Sequence, residues 1–161
     1  MRSYEHTDAD AVLAINEECV PEVGGLTTEK LAYFTEKASF FAVVEVDEKV
    51  VGFIIGLDEF ATDYPSPNYA WFSERYDQFA YVDRIAISEP GRGLGLGPDM
   101  YRAFEAWAIG HGKSVLLAEV NTVPQNPRSH RFHEIFGFRE LERVRPYGPD
   151  EEVAMYEKAL D

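Results

Sequence analysis

Arg92-Gly93-Leu94-Gly95-Leu96-Gly97 is the stretch of sequence that decides the fold. It follows an extended apolar run, Phe79 to Ile87, and precedes a run with helical apolar spacing, Met100 to Ala108. Glycines at such a strand-to-helix junction let backbone N–H groups approach a phosphate without interference from Cβ atoms. The N-terminus of the following helix adds a partial positive charge. The stretch therefore predicts a ligand that carries phosphate groups.

The spacing of these glycines excludes two common phosphate-binding motifs. A dinucleotide fingerprint needs G-x-G-x-x-G, whereas the glycines here occupy every second position from Gly91 to Gly97. A P-loop needs G-x-x-x-x-G-K-[ST], and Trp107 stands where the first glycine before Gly112-Lys113-Ser114 should be. The pattern that fits is R-x-x-G-x-G, beginning at Arg92. A mobile surface loop ahead of a helix is the alternative interpretation.

Composition and charge limit the classes of protein to which this chain can belong. With 161 residues, 45% of them hydrophobic, the chain predicts a single domain over residues 1–161 with a sizeable core. The net charge of −14 excludes a nucleic-acid binder, and it either favours cationic partners such as amines or serves solubility alone. No apolar run approaches the ~18 residues that span a bilayer, so we expect no membrane segment. A single cysteine, Cys19, suits a reducing cytoplasm.

The hydrophobic pattern predicts a mixed order of strands and helices. We expect strands at residues 2–5, 39–46, 50–57, 80–87, 115–120, 138–144 and 153–160. We expect helices near residues 8–19, 28–38, 98–111 and 127–136. Gly52 and Gly56 lie inside the third strand and indicate that another group approaches it closely. Asp58 to Asp77 reads as a long irregular segment, rich in aromatic residues and of a kind that is usually functional.

A second motif covers Asn126 to Phe138. Asn126 is a plausible N-cap, Pro127 suits the first helical position, and Gly137 suits a left-handed C-terminal position. At ~100° per residue, one side of this helix is apolar and is expected to face the core, and the adjacent side is polar. The apolar residues are Phe132, Ile135 and Phe136, and the polar residues are Asn126, Ser129, His130 and His133. Capping alone is an alternative explanation of Asn126.

Both motifs resemble signatures of the GNAT superfamily of acetyl-CoA-dependent N-acetyltransferases. The glycine stretch is similar to that family's pyrophosphate loop, and the second motif is similar to N-x-x-[AS]-x-x-F-Y-x-x-x-G-F. The order of strands and helices also matches, so the resemblance covers nearly the whole chain. Two positions depart from the pattern: His133 replaces a tyrosine, and Pro98 removes one backbone N–H after the loop. The segments 68–76, 81–84 and 119–121 further resemble a bacterial subgroup of predicted GNAT acetyltransferases. This closer resemblance implies no particular substrate.

The resemblance implies an α+β fold and a coenzyme site. The fold is a GNAT-like mixed, mostly antiparallel central sheet flanked by helices, in which the fourth and fifth strands, 80–87 and 115–120, splay apart. Pantetheine then enters between these strands and the glycine loop holds the pyrophosphate. The implied coenzyme-binding residues are Ile85, Ala86, Ile87, Arg92, Gly93, Leu94, Gly95, Leu96, Gly97, Asn126, Ser129 and His133.

The implied reaction is direct attack of a primary amine, of a small molecule or peptide, on acetyl-CoA in a ternary complex. It needs a base for the amine and an acid for the departing thiolate. Asp83 is the expected base, acting directly or through water, with a structural ion pair to Arg84 or Arg75 as the alternative. Tyr81 shares its strand face and is the other catalytic candidate on this strand. His133 is the expected acid, with a helix-surface histidine as the alternative.

Other expectations concern the acceptor, metals and assembly. Asn68, Trp71, Arg75 and Tyr76 are expected to line the acceptor site or else to pack the long segment. No metal is expected, because no further ligand is evident beside His130, His133 and Glu134, and no H-E-x-x-H is present. A coenzyme A-binding regulator without catalysis is the competing function. The sequence leaves the oligomeric state open, with a homodimer as one option.

Overall fold

The computed structural model describes residues 1–161, which form one seven-stranded sheet and five α-helices. The strands are β1 (Arg2–Ser3), β2 (Phe40–Val46), β3 (Lys49–Asp58), β4 (Phe79–Ile87), β5 (Val115–Val123), β6 (Arg139–Val144) and β7 (Glu152–Ala159). The helices are α1 (Ala9–Glu18), α2 (Thr28–Lys37), α3 (Pro67–Ser73), α4 (Leu96–Gly110) and α5 (Pro127–Ile135). The order of strands in the sheet is β1-β2-β3-β4-β5-β7-β6. None of the helices is long and apolar enough to cross a membrane.

Strand pairing confirms the predicted α+β class. The pairs β1–β2, β2–β3, β5–β7 and β6–β7 are antiparallel, whereas β4 and β5 are parallel. The parallel register joins only Phe79–Tyr81 to Val115–Leu117, although each strand is nine residues long. So short a register agrees with the predicted splay of these two strands.

The chain forms two compact units, each built from two segments. Unit 1 comprises residues 1–57 and 83–107, and unit 2 comprises residues 58–82 and 108–161. Strand β4 contributes its first half to unit 2 and its second half to unit 1. A single domain over residues 1–161 stays a prediction.

Unit 1 confirms the close approach that the glycines of β3 indicate. A Cβ atom added to Gly56 would lie 2.3 Å from the ring of Phe104 on α4, which is fully buried. A Cβ atom added to Gly52 would lie 3.0 Å from the carbonyl oxygen of Ala86 on β4. Phe104 also stacks on Trp107, with ring centroids 5.6 Å apart. A side chain at Gly52 would be tight against β4, and a side chain at Gly56 would displace the Phe104 ring, so Gly56 allows α4 to pack closely on β3 within this unit.

Substitution of Gly56 tests this contact. We expect Gly56→Ala to lower the free energy of unfolding by about 1–3 kcal/mol, because the ring of Phe104 has to move in a packed core. Gly110→Ala is the matched control, since a Cβ atom there meets nothing within 4 Å. Urea unfolding should show a loss for the first variant and none for the second. Equal stabilities would mean that Phe104 is loosely packed.

In unit 2 the structure corrects one prediction, the irregular segment from Asp58 to Asp77. Residues Pro67–Ser73 form helix α3 within it. The Oγ atom of Ser66 accepts a hydrogen bond from the N–H of Tyr69 at 3.3 Å, and Pro67 occupies the first turn, where its missing N–H costs nothing. The Ser-Pro pair was the sequence signal, but a seven-residue helix is too short for apolar periodicity to reveal.

Candidate active site

The glycine loop lies in unit 1 between β4 and α4. A short 3₁₀ helix, Glu89–Gly91, precedes it, and α4 begins at Leu96. Gly93 and Gly95 both have φ of +77°, a conformation that residues with a Cβ atom rarely adopt, and a Cβ atom at either would meet nothing within 4 Å. The loop therefore combines a backbone that requires glycine with open space beside it, which fits a ligand held by backbone N–H groups.

The base of the loop is anchored to β3. Ser88 donates two hydrogen bonds to the carbonyl oxygen of Val51, at 2.9 Å from its N–H and 3.0 Å from its hydroxyl. Gly91 is buried, and a Cβ atom there would lie 2.9 Å from the side chain of Ile87. These contacts hold the start of the loop rigidly on the sheet and leave Gly93 and Gly95 exposed.

The strand residues expected to meet the coenzyme also belong to unit 1. Ile85 and Ile87 are half-buried on one face of β4, and Ala86 is buried on the other. The carbonyl oxygen of Ile87 already accepts hydrogen bonds from the thiol of Cys19 at 3.6 Å and from Nε of Arg92 at 3.2 Å. A pantetheine amide would therefore find this carbonyl engaged.

Asp83, the base expected from the sequence, forms a buried ion pair with its neighbour Arg84. The carboxylate and Nε of Arg84 are 2.8 Å apart, and both side chains are 4% exposed. Arg84 also donates to Oδ1 of Asn16 and to the carbonyl oxygen of Gly24, each at 3.0 Å. The ion pair considered as the alternative is thus present. Through its hydrogen bond to Asn16, Arg84 also connects β4 to α1. A catalytic role for Asp83 stays a prediction.

A second carboxylate cluster lies in unit 2, around Glu119 on β5. Its Oε1 atom accepts hydrogen bonds from the hydroxyl of Tyr81 at 2.9 Å and from Nδ2 of Asn68 at 3.2 Å. Tyr81 is 1% exposed and Asn68 is 6% exposed, so both donors are desolvated. The structure therefore brings together one predicted catalytic residue and one predicted substrate residue on a carboxylate that the sequence analysis did not select.

The orientation of the Asn68 amide follows from this carboxylate. Only the NH₂ group can donate to Glu119, so Oδ1 points elsewhere. That oxygen is buried and accepts no hydrogen bond. Buried polar atoms are satisfied in most proteins, so this oxygen is able to accept a hydrogen bond from a water molecule or from a bound ligand.

The other predicted acceptor residues do not join this cluster. The guanidinium of Arg75 lies 3.9 Å from the ring of Trp71 and donates to its carbonyl oxygen at 2.7 Å. The hydroxyl of Tyr76 donates to Glu157 at 2.6 Å, and burial, followed by this carboxylate, raises the pKa of Tyr76 to about 12. Their roles in acceptor binding stay predictions.

Helix α5 begins as the second motif predicts. The side chain of Asn126 accepts a hydrogen bond from the N–H of Ser129 at 3.3 Å, so it caps the helix. Gly137 has φ of +94° and ends it. The capping interpretation of Asn126 is therefore confirmed, and contacts of Asn126 and Ser129 with the coenzyme stay predictions.

The apolar face expected for α5 is wrong in part. Ile135 is 73% exposed, and Phe132 and Phe136 are half-buried and stacked on each other at 5.6 Å. The buried side of this helix instead carries His133. The ring of Tyr156 on β7 stacks on this histidine, with ring centroids 5.5 Å apart, so His133 takes the core-facing position that periodicity assigned to the apolar residues.

His133 is a buried neutral histidine, not a surface one. Its Nδ1 atom lies 2.8 Å from the carbonyl oxygen of Ser129, which can only accept, so the proton is on Nδ1. Burial lowers the pKa of His133 to about 4, and His130 adds to the lowering while the bond to Ser129 opposes it. At neutral pH the ring therefore carries one proton, and that proton is committed to the backbone. The role of thiolate acid that the resemblance implies for His133 stays a prediction.

No group of three or more His, Cys, Asp or Glu side chains lies close enough together to hold a metal ion. Unit 1 thus carries an exposed glycine loop at the start of a helix, and unit 2 carries a half-buried, hydrogen-bonded carboxylate. The mixed sheet with one short parallel pair, and the glycine loop ahead of a helix, agree with the fold that the GNAT resemblance implies. The sequence profile of the Acetyltransferase (GNAT) family matches residues 9–138, and the chain belongs to that family.

Similar proteins agree with this assignment. An uncharacterized N-acetyltransferase of Methanocaldococcus jannaschii is 23% identical over 156 residues, which cover 96% of this chain and 87% of the relative. The crystal structure of Ard1 from Thermoplasma volcanium has a TM-score of 0.80 at 20% identity, covering 99% of this chain and 95% of that one. A ribosomal-protein-alanine N-acetyltransferase from Brucella melitensis has a TM-score of 0.75 at 20% identity, with 99% and 98% covered. At these identities the two structures are similar in fold.

Proposed function

We propose that this protein transfers an acetyl group from acetyl-CoA to a primary amine of a small molecule or peptide. The amine nitrogen attacks the thioester carbonyl directly in a ternary complex. A C–N bond forms, the C–S bond breaks, the amine loses a proton to a base, and the thiolate takes up a proton. Such chemistry needs no resident metal and suits a protein of the reducing cytoplasm.

The observation that carries the proposal is the glycine loop of unit 1. Gly93 and Gly95 have left-handed backbones, face open space and lead into a 15-residue helix. Backbone N–H groups in such a loop suit the diphosphate of coenzyme A, and the helix dipole adds to the attraction. Because the chain belongs to the GNAT acetyltransferase family, we infer that the phosphate-bearing ligand is the acetyl donor, acetyl-CoA.

Substitution in the loop tests the coenzyme assignment. We expect Gly95→Val to weaken acetyl-CoA binding at least tenfold, because a branched side chain would fill the space that phosphate needs. Isothermal titration calorimetry measures the change. Gly112→Val is the matched control, because Gly112 has φ of +71° and equally open surroundings but lies outside the loop. Gly112→Val should suffer the same backbone strain and bind acetyl-CoA like the wild type. Equal affinities in all three proteins would show that the loop is not part of the coenzyme site.

The proposed base for the amine is Glu119 of unit 2. Its Oε1 atom is held by Tyr81 and Asn68, so the carboxylate is positioned before substrate arrives. Asp83, by contrast, is engaged by Arg84, and proton uptake by Asp83 would leave a buried guanidinium without its counter-charge. Tyr81 then acts by orienting Glu119, through a donor hydrogen bond that suits the ionised carboxylate.

The same cluster favours a cationic acceptor. Glu119 supplies negative charge, and Oδ1 of Asn68 is a buried acceptor that lacks a donor. A primary ammonium carries three N–H donors and loses one of them to the base. Binding of the ammonium beside this pair would satisfy Asn68 and place the leaving proton against Glu119.

One observation favours the competing function, a coenzyme A-binding regulator. His133 replaces the tyrosine of the resembled family and commits its proton to Ser129. Release of free thiol from acetyl-CoA over a panel of primary amines distinguishes the two functions. Turnover with any amine supports the enzyme, and tight acetyl-CoA binding without turnover across peptide, amino-acid and polyamine acceptors supports the regulator.

A further inference from the structure

The C-terminal end of α1 contacts the segment that leads into the glycine loop. Oε1 of Glu18 accepts a hydrogen bond from the N–H of Glu89 at 2.6 Å. The same oxygen lies 3.5 Å from Nη2 of Arg92, the arginine that opens the R-x-x-G-x-G pattern. Nε of Arg92 meanwhile donates to the carbonyl oxygen of Ile87 at 3.2 Å. The guanidinium is thus folded back onto groups of the protein.

Arg92 is the one basic residue between Ser88 and Tyr101, so it is the cation that the loop can offer to a phosphate. Its side chain is 43% exposed and that of Glu18 is 41% exposed. Ion pairs this exposed are weak and exchange readily. Guanidinium–phosphate pairs are charge-assisted and bidentate, so a phosphate can take Arg92 from the carboxylate.

We propose that Glu18 is an internal competitor for Arg92, a carboxylate that holds the loop arginine in the absence of coenzyme and so sets the affinity for the phosphates of acetyl-CoA. The inference rests on the proposed function, because it assumes that acetyl-CoA binds at this loop. Glu18 acts through Arg92 and is a positioning residue. Coenzyme binding displaces the carboxylate from the guanidinium, while its bond to the N–H of Glu89 can persist.

The test is a double-mutant cycle measured by calorimetry with acetyl-CoA. Glu18→Gln keeps an oxygen that can accept from Glu89 and removes only the charge. We expect this variant to bind acetyl-CoA about two- to fivefold more tightly than the wild type, the range expected for loss of an exposed ion pair. Arg92→Gln should bind more weakly. In the Arg92→Gln background, the Glu18→Gln substitution should have no further effect.

Glu17→Gln is the matched control, since it removes the same charge one residue earlier from an exposed side chain. It should leave the affinity unchanged, and an equal gain would show that general repulsion by an acidic surface is responsible, which overturns the inference. Weaker binding by Glu18→Gln would also overturn it and would make Glu18 a support of the loop through Glu89. Failure of the wild type to bind acetyl-CoA would instead contradict the proposed function, because the cycle then has no starting affinity.

Discussion

Glu119→Gln is expected to lower the turnover number by about 10²–10⁴-fold, the usual loss when a general base is removed. Glutamine keeps the size of the side chain and can still accept the hydrogen bonds from Tyr81 and Asn68. It cannot take a proton from an ammonium group. The measurement is thiol release at saturating acetyl-CoA, with any amine that supports turnover by the wild type, and acetyl-CoA affinity should be unchanged.

Asp83→Asn is the comparison that separates the two candidate bases. Loss of one partner of a buried ion pair typically costs about 3–5 kcal/mol. We expect the lower end of that range here, because Arg84 keeps its hydrogen bonds to Asn16 and Gly24. The turnover number of Asp83→Asn, calculated per folded molecule, should stay within a few-fold of the wild-type value. The reverse result, a fast Glu119→Gln and a slow, stable Asp83→Asn, would return the role of base to Asp83. Glu142→Gln, on an exposed position of β6, controls for the loss of one negative charge.

A large effect of pH on stability is expected from His133. The folded pKa is about 4, and the unfolded value is about 6.5. Between these values the unfolded chain binds more protons, so stability falls as pH falls through this window and is complete above pH ~6.5. The difference between the folded and unfolded pKa of His133 changes the free energy of unfolding by about 3 kcal/mol in total. About 2 kcal/mol of this is lost between pH 7 and pH 5.

Urea unfolding at pH 7 and pH 5 measures this loss. In His133→Phe the ring stays planar but does not titrate, so the pH-dependent difference should shrink by about 2 kcal/mol, whatever the variant's stability at pH 7. His6→Gln, at an exposed histidine, should behave like the wild type. Carboxylates with lowered pKa, such as Glu140 and Glu157, lose their contribution to stability mainly below pH 5, outside the range measured. An unchanged difference in His133→Phe would show that the imidazole titrates normally and is reached by water.

The sequence predicted those parts of the fold that rest on local patterns. Continuous apolar runs gave β3 and β4, and the capping residues of α5 gave its start and its end. The two glycines of β3 correctly indicated a close neighbour, because a glycine inside a strand has few other reasons to be there.

What the sequence did not reveal depends on partners far along the chain. Glu119 could not be identified as a site residue from the sequence, because a carboxylate on a strand has no pattern of its own. Its donors Tyr81 and Asn68 lie 38 and 51 residues away. The burial of His133 likewise depends on Tyr156, and the tautomer depends on a backbone oxygen that no periodicity describes. The exposure of Ile135 could not be predicted either, because helical periodicity alone placed this residue on the buried face.

The position of β7 has a consequence for how the chain folds during synthesis. This strand is synthesised after the other six, yet it lies between β5 and β6 in the sheet and pairs with both. Until residues 152–159 emerge, β5 presents an unpaired hydrogen-bonding edge along most of its length, and β6 has no neighbour at all. Such edges pair readily with other chains. Nascent chains that stall before Glu152 therefore leave two strands open to mispairing, and the β5–β7–β6 part of unit 2 is completed only once residues 152–159 have emerged.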